Sequence, residues 1–547
     1  MKPTSTTRIK GQPSPSRRSA RDRQKPFVQQ RDVPDSPQNI WRWACALVLI
    51  AAGLLRLLYL TEKPLHHDEG VNGLFLSQLF HNGFYHYNPA NYHGPTLYFF
   101  GLVTTTLNSL FYGKYGLSTF AIRLVPALFG TGIVWLIFYF RRSIGKFGSM
   151  TAAMLVTVSP GFVFFSRYFI HEILFVFFTL ALVVTIMRFR ETAQPRYLMW
   201  AAACAALLFA TKETFVITAV VLVLAYLCMR VYMHLRNRLA GDSRSGLSKE
   251  KNKEAEDLTE NSGILTPQLI ATAAPVFVVV SMLFYSSFFT NPQGVLDSIR
   301  TFGYWGKTGT TEYLSPWPTY LKWLSQIELP ALALGGLGIV VALIQVRSRF
   351  AVFSAFWALG ITAAYSLVPY KTPWLALNLV LPLAIMAGYF LGQWYELGNK
   401  ERSPLLRASA VMVLLAALAS SSYQAIDLSF FSYDNDAIPY SYAHTVRDFL
   451  GLVDEIERVA SHNPAGKNIG ISVMSPEHWP LPWYLRDYPN VGYWGKIIPT
   501  SEPIIIASEQ QASEVEKKLS ILYRRFHSYG LRPGARLVLF LRGDQRP

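Results

Sequence analysis

Long apolar segments alternate with polar or basic connections along most of this chain. A helix needs about 20 predominantly apolar residues to cross a hydrocarbon core of ~30 Å. The first such run is followed by no small-residue cleavage site, so we expect it to remain as an anchor. The pattern predicts a mainly α, polytopic membrane protein with about eleven transmembrane helices. The predicted spans are 41–60, 119–140, 148–166, 172–189, 197–211, 213–233, 267–289, 327–346, 350–368, 374–394 and 405–424.

Basic clusters between the spans predict how the chain is oriented. Lys and Arg next to spans are retained on the cytoplasmic side, and each cluster here follows an even-numbered span. The N-terminus is therefore expected in the cytoplasm and the C-terminus outside an inner or plasma membrane. This orientation requires the apolar stretch 96–112 to lie on the outer face without crossing. The clusters occur at 141–146, 188–196, 230–253, 347–349 and 400–407.

Three regions follow from this pattern. Residues 1–38 are rich in Arg, Lys, Ser and Pro and predict a disordered basic cytoplasmic tail. Residues 39–424 predict the transmembrane domain, with outer loops at 62–118 and 290–326. Residues 425–547 predict a small extracytoplasmic α/β domain, because helical and strand patterns alternate there. The expected helices are 442–460 and 512–526, and the expected strands are 469–473, 504–507 and 537–541.

Composition supports a membrane protein and argues against a nucleic-acid-binding one. The chain is 51% hydrophobic and only 16% charged, yet its formal net charge is +17. The basic excess must therefore be concentrated in the tail and short loops, which fits cytoplasmic retention better than nucleic-acid binding. The three cysteines lie in apolar spans, so they predict packing residues and no disulfide framework.

Polar side chains accumulate in the predicted outer connections. The segment HHDEG places adjacent acids, Asp68 and Glu69, directly after the first span. Asp68 could serve as a helix N-cap, and Lys212 with Glu213 could form a simple surface ion pair. Together, however, these residues offer carboxylates for proton abstraction and cations for a phosphate. The other outer polar residues are Tyr92, His93, Arg167, His171, Glu172, Tyr370, Lys371 and Trp374.

The first outer loop also holds several histidines. One interpretation is a divalent metal bound by His66, His67 or His93. The other is a set of hydrogen-bonding residues in an aromatic interfacial loop, and the absence of a tight ligand spacing favours it. No cofactor is required by the pattern. The sequence has no Walker loop, no GxGxxG after a strand and no GxSxG elbow, so nucleotide-driven and serine-hydrolase activities lack support.

Several motifs together carry a resemblance to a known family. They are HHDEG, YHGPTLYFF, FAIRLVPAL, SRYFIHEILFVFF, ATKE and KTP, and they cover most of residues 40–395. The chain resembles the lipid-linked-sugar glycosyltransferases of the GT-C fold, which include the protein O-mannosyltransferases of glycosyltransferase family 39 and the aminoarabinose transferases. The segments YSSFFTNPQG, YKTPW and SPEHWPLPWYLRDYPNVGYW resemble more closely a subfamily labelled flippase-activity-associated proteins.

The resemblance implies an inverting transfer of sugar from a polyprenyl-phosphate donor to an extracytoplasmic glycan, lipid or protein. Asp68 would be the general base, with Glu69 supporting it or taking its role, and Glu172 would be a second active-site acid. Lys212 and Lys371, helped by Arg167, would neutralise the departing phosphate. The residues expected to bind substrate are Tyr92, His93, His171, Tyr370 and Trp374.

Two other functions remain open on the sequence. A non-enzymatic accessory of a lipid-sugar flippase would bind the lipid phosphate through Lys212 and Lys371 and would not need Asp68. A proton-coupled transporter would need acids in the middle of its spans, whereas these acids lie at span ends. The outer segment WPLPWYLRD at 479–487 could either bind a partner or pack against the membrane.

Overall fold

The computed structural model describes residues 38–91, 93–241, 266–311, 314–519 and 522–545. The predicted basic tail lies almost wholly outside these residues, and Tyr92 also falls outside them. The chain divides into two compact units, Met1–Ala44 and Cys45–Pro547. The second unit includes both the apolar helices and the C-terminal sheet.

Helices make up most of the described residues. Many begin at a side-chain cap or at a proline in the first turn, as expected where the first backbone N–H groups have no partner within the helix. Ser118, for example, accepts a hydrogen bond from the backbone N–H of Ala121 at 3.2 Å. In chain order the helices are α1 Gln38–Leu57, α2 His67–Asn82, α3 Thr96–Tyr112, α4 Thr119–Ile137, α5 Lys146–Val158, α6 Pro160–Phe165, α7 Glu172–Thr192, α8 Pro195–Phe209, α9 Phe215–Gly241, α10 Pro267–Tyr285, α11 Gln293–Thr311, α12 Thr319–Ile327, α13 Leu329–Gln345, α14 Arg349–Leu367, α15 Leu377–Lys400, α16 Pro404–Ile426, α17 Asp448–His462, α18 Leu481–Tyr484 and α19 Ala512–Leu519.

Every predicted span contains an apolar helix, and the prediction of a polytopic membrane protein is confirmed. Among the described residues, 8 helices are long and apolar enough to cross a membrane. A ninth span results if α12 and α13, which are bent by 113°, are counted together. Helices α5 and α8 are apolar but shorter, so the predicted eleven includes these two short segments. Helix α3 has 17 residues and is not among the helices that pass this test, so its expected place outside the bilayer core stays a prediction.

Close contacts between glycines hold the centre of the helical domain together. Helix α15 is almost completely buried, and Gly388 on it lies against Gly148 on α5. A Cβ atom on Gly148 would lie 2.8 Å from the carbonyl oxygen of Gly388. Small residues allow such helices to approach closely, which is how membrane helices gain packing without a hydrophobic driving force between them.

The C-terminal region forms one five-stranded sheet between two apolar layers. The strands are β1 Ile471–Val473, β2 Val491–Tyr493, β3 Ile504–Ser508, β4 Tyr523–Arg532 and β5 Ala535–Arg542. Their order in the sheet is β2-β1-β3-β5-β4; β1 pairs in parallel with β2 and β3, whereas β5 pairs antiparallel with β3 and β4. Alternate residues pack on opposite faces, with Ile504 beside the layer of α17 and Ile505 beside that of α19.

The predicted α/β class of this region is confirmed, but two of its strands were not predicted. The helix expected at 512–526 ends at Leu519, and residues 523–526 belong to β4 instead. The helix expected at 442–460 is α17, which begins at Asp448. Strand β2 is only three residues long and follows a proline-containing loop, so it leaves almost no periodic pattern in the sequence.

The segment WPLPWYLRD joins the C-terminal region to residues 62–118, the loop that was predicted to be the first outer one. Trp483 is buried in the same apolar cluster as Leu76 of α2. Its indole N–H donates to the Thr119 hydroxyl at 3.3 Å, and Arg486 donates to the carbonyl of Leu117 at 3.1 Å. This segment therefore packs against the protein itself, and it places the sheet beside helix α2.

Candidate active site

The start of helix α2 positions the adjacent acids Asp68 and Glu69. The N-cap is His66, whose Nδ1 accepts a hydrogen bond from the backbone N–H of Asp68 at 3.1 Å. The Glu69 carboxylate accepts in return from the backbone N–H of His66 at 3.0 Å. This reciprocal capping box satisfies two N–H groups that the helix leaves open. Asp68 is therefore not the cap and lies in the first turn.

Glu69 is completely buried, and all of its oxygen atoms are engaged. Arg123 of α4 donates to both carboxylate oxygens at 2.8 Å, and the backbone N–H of Phe169 donates at 2.9 Å. Burial acts to raise the pKa of Glu69, but the Arg123 guanidinium outweighs it and holds that pKa below its usual range. Glu69 thus ties α2 to α4, a position that suits a structural anion better than a proton acceptor.

Asp68 differs from Glu69 in every one of these respects. Its side chain is only half-buried, and no hydrogen bond or ion pair joins its carboxylate to any described residue. The Asp68 carboxylate also acts on Tyr98 of α3. The pKa of Tyr98 is raised well above its usual range, mainly by burial and then by neighbouring tyrosines and the Asp68 charge. Asp68 is therefore an uncommitted carboxylate at the start of α2, and a base needs that availability.

A second group of charges lies where α7, α8 and α9 end or begin. The Lys212 ammonium donates to Glu172 at the start of α7, and both side chains are almost fully buried. The neighbouring Glu213 lies 3.1 Å from Nδ1 of His93, which is one-third exposed. Burial acts to lower the pKa of Lys212, but Glu172 and Glu213 raise it above its ordinary value, so Lys212 stays a cation. We call these four residues the lysine cluster.

Backbone pairing brings His93 to the lysine cluster. The loop before α3 donates from the N–H of Gly94 to the carbonyl of Thr211 at 3.0 Å. A Cβ atom on Gly94 would clash with the Ala210 carbonyl, so only glycine permits this approach. His171 completes the contact: one ring nitrogen lies 3.0 Å from the Gly94 carbonyl, and its ring centroid is 5.0 Å from that of His93.

Arg167 donates hydrogen bonds to backbone carbonyls at the end of the first span. Its guanidinium donates to the carbonyls of Leu58 at 2.6 Å and Tyr59 at 2.8 Å, with two further carbonyls close by. The guanidinium carbon lies over the ring of Phe430, 4.5 Å from its centroid. Only its Nε has no hydrogen-bond acceptor among the described residues. The predicted help with a phosphate would therefore come mainly from its charge.

Lys371 is held in the same way at the end of α14. Its ammonium donates to the carbonyls of Val368 at 2.6 Å, Ser366 at 3.0 Å and Tyr365 at 3.2 Å. An ammonium has three N–H donors, so all of them are occupied. Lys371 therefore neutralises the C-terminus of α14. Among the predicted phosphate-binding cations, Lys212 has the most N–H donors without an acceptor.

The predicted aromatic and histidine residues separate into different surroundings. The ring of Trp374 lies edge-on to that of His66, with 6.0 Å between centroids. His67 lies 6.0 Å from the Trp479 ring and 3.4 Å from a guanidinium nitrogen of Arg532. Tyr370 forms an isolated β-bridge with Leu314.

The predicted metal ligands do not form a metal site among the described residues. No group of three or more His, Cys, Asp or Glu side chains is close enough there to hold an ion. His66 caps α2, His67 faces Trp479, and His93 pairs with Glu213. The side chains of His66, His67 and His93 therefore do not fit a divalent metal as a shared set of ligands. Metal binding at this loop stays an untested prediction.

The structure adds residues that the sequence did not single out. Arg123 stands alone in an apolar span, and a lone arginine there must find a buried acid; this signal could have predicted its pairing with Glu69. Lys63, Tyr168 and His444 also meet near His66, with the Tyr168 hydroxyl 2.7 Å from Nδ1 of His444. No local pattern joins two residues that are 276 positions apart.

Comparisons with known proteins agree with this architecture. A family model described as dolichyl-phosphate-mannose-protein mannosyltransferase matches residues 93–240. A comparison with curated protein sequences finds no match. The fold is similar to that of ArnT from Cupriavidus metallidurans bound to undecaprenyl phosphate, at 14% identity and a TM-score of 0.58, over 93% of this chain and 99% of that one.

A second solved structure widens the comparison. The oligosaccharyltransferase of Archaeoglobus fulgidus in its apo form is 12% identical, with a TM-score of 0.53 over 83% of this chain and 64% of that one. At such low identities the likeness concerns the fold. The chain is therefore an integral membrane protein with the GT-C fold that its sequence motifs predicted.

Proposed function

We propose that this chain transfers a sugar from a polyprenyl-phosphate donor to a hydroxyl acceptor on the extracytoplasmic side, with inversion at the anomeric carbon. The observation that carries this proposal is the contrast between the adjacent acids: Glu69 is fully engaged by Arg123, whereas Asp68 has no partner among the described residues. A buried pair thus holds the helix that presents an available base.

The lysine cluster supports the donor half of the proposal. Lys212 uses one N–H on Glu172 and keeps two donors. A phosphate that leaves a sugar gains negative charge, and a fixed cation stabilises it. The similar ArnT structure is bound to undecaprenyl phosphate, which makes a polyprenyl phosphate the lipid we propose here.

The reaction follows from these roles. The acceptor hydroxyl oxygen attacks the anomeric carbon from the face opposite the phosphate, and its proton passes to the Asp68 carboxylate. The bond between that carbon and the phosphate oxygen breaks as the new glycosidic bond forms. Polyprenyl phosphate leaves as an anion beside Lys212. We further propose that the N-terminus is cytoplasmic, so that this face of the molecule lies outside.

A paired substitution tests the phosphate-binding role of Lys212. Lys212→Met alone would leave Glu172 buried without a cation, so it is combined with Glu172→Gln, which removes both charges together. We expect this double variant to fold and to bind polyprenyl phosphate about tenfold more weakly or worse, because a hydrogen bond to a charged group contributes roughly 1.5–3 kcal/mol. Equilibrium binding of a radiolabelled polyprenyl phosphate to purified protein measures it.

The exposed Lys322 in the predicted outer loop 290–326 provides the matched control. Lys322→Met removes a lysine without touching the cluster and should bind polyprenyl phosphate as the wild type does. Wild-type affinity in the Lys212 and Glu172 double variant would remove the cluster from donor binding.

A further inference from the structure

A small cavity lies just beside the proposed base. Its walls come from the start of α2, the end of α6 and the short turn that precedes α17. It has room for about one water-sized group. Its lining is almost entirely aromatic, and it consists of His66, Phe165, Tyr168, Ile170, Trp374, Tyr440 and Tyr442.

The hydrogen bonds of His66 determine which of its ring nitrogens carries a proton. Nδ1 accepts from the backbone N–H of Asp68, so it bears no hydrogen, and Nε2 must be the N–H donor. His66 is 5% exposed, and Nε2 is buried without a hydrogen-bond partner among the described residues. Buried donors without a partner are rare in folded proteins, and each one indicates a missing acceptor.

Tyr440 also lines this cavity and carries a second buried group of this kind. It is 2% exposed, and its hydroxyl also has no partner among the described residues. The Lys63 ammonium lies over the Tyr168 ring, 3.4 Å from its centroid, and Lys63 is not among the residues that line the cavity. The residues that line the cavity include no lysine, arginine, aspartate or glutamate, so its hydrogen-bonding groups are an imidazole and phenol hydroxyls.

The geometry points to a subsite in which the His66 Nε2–H and the Tyr440 hydroxyl bind one hydroxyl group of the donor's sugar. This inference rests on the proposed function and specifies where the sugar is recognised. A hydroxyl both donates and accepts, so it satisfies both groups, and a cavity with room for one water-sized group admits a hydroxyl but not the sugar ring that carries it. A phosphate would instead need a cation in direct contact, which Lys212 offers elsewhere. Asp68 follows His66 by two residues, so the subsite adjoins the base.

Two substitutions remove these groups and preserve the surrounding fold. His66→Asn keeps an oxygen that can cap α2, because asparagine is among the strongest N-cap residues, but it has no counterpart of Nε2–H. Tyr440→Phe removes only a hydroxyl that bonds to no described residue. Tyr389→Phe is the matched control, since the Tyr389 hydroxyl is equally buried and unpaired within α15.

The experiment compares binding of bare polyprenyl phosphate with that of mannosyl, glucosyl and arabinosyl polyprenyl phosphates. We expect wild type and Tyr389→Phe to prefer at least one glycosylated lipid. His66→Asn and Tyr440→Phe should each lose about tenfold of affinity for it, the effect of one hydrogen bond, and keep the affinity for the bare lipid.

Each other outcome overturns the subsite. Variants that keep the wild-type preference, or that lose affinity for bare and glycosylated lipids equally, would show that the cavity holds only structural water. A wild type that binds all four lipids equally would contradict the subsite and leave the phosphate site intact. A wild type that binds no polyprenyl lipid would contradict the proposed function itself.

Discussion

Asp68→Asn should reduce sugar transfer by a factor of about 10² to 10⁴, the contribution typical of a general base. Asparagine has nearly the same shape, but it cannot take a proton from the acceptor hydroxyl. Because the Asp68 carboxylate bonds to no described residue, the change should leave folding and membrane insertion intact. Initial rates of transfer by purified protein, together with its thermal unfolding midpoint, measure both effects.

Asp436→Asn provides the matched control for this prediction. Asp436 is an exposed aspartate in the connection before α17, and its replacement should change neither transfer nor stability. Undiminished transfer by Asp68→Asn would remove Asp68 from the role of base.

Glu69→Gln should destabilise the protein strongly, although this residue is the immediate neighbour of Asp68. The change leaves the Arg123 guanidinium buried without its anion, and breaking a buried pair costs roughly 3–5 kcal/mol. The backbone N–H groups of His66 and Phe169 also lose a charged acceptor. Thermal unfolding in detergent should show a much lower midpoint than that of wild type, with a lower yield of folded protein.

A second substitution distinguishes stability from catalysis. Combining Glu69→Gln with Arg123→Gln removes both charges and should recover part of the lost stability. If Glu69→Gln instead unfolded at the wild-type temperature and had lost transfer, Glu69 would be the base, the alternative role that the sequence left open.

The apolar helices could be predicted from sequence because a membrane imposes both length and composition on them. Each predicted span contains an apolar helix in the structure, although 148–166 is divided between α5 and α6. Strand β4 was missed for the opposite reason. Its sequence, YRRFHSYGLR, carries exposed charges over much of its length and pairs with β5 on only one side, so it lacks the apolar pattern of a buried strand.

Sequence also identified most of the polar residues at the candidate site but not their partners. The residues Asp68 and Glu69 look equivalent as neighbours in HHDEG, and only the fold places Arg123 against one of them. Lys371 and Arg167 read as cations for a phosphate, and only the fold shows that backbone carbonyls take most of their donors. Such pairings depend on segments far apart in the chain, which local patterns do not encode.

The most direct test of the account is whether the wild-type protein consumes a lipid-linked sugar. Purified protein in lipid vesicles would be given radiolabelled glycosyl polyprenyl phosphates and an envelope extract as the source of acceptor. We expect time-dependent release of polyprenyl phosphate, with the labelled sugar joined to an acceptor in the opposite anomeric configuration. Donor that stays intact although it binds through Lys212 would contradict transfer and would identify the chain as a non-enzymatic lipid-sugar-binding accessory.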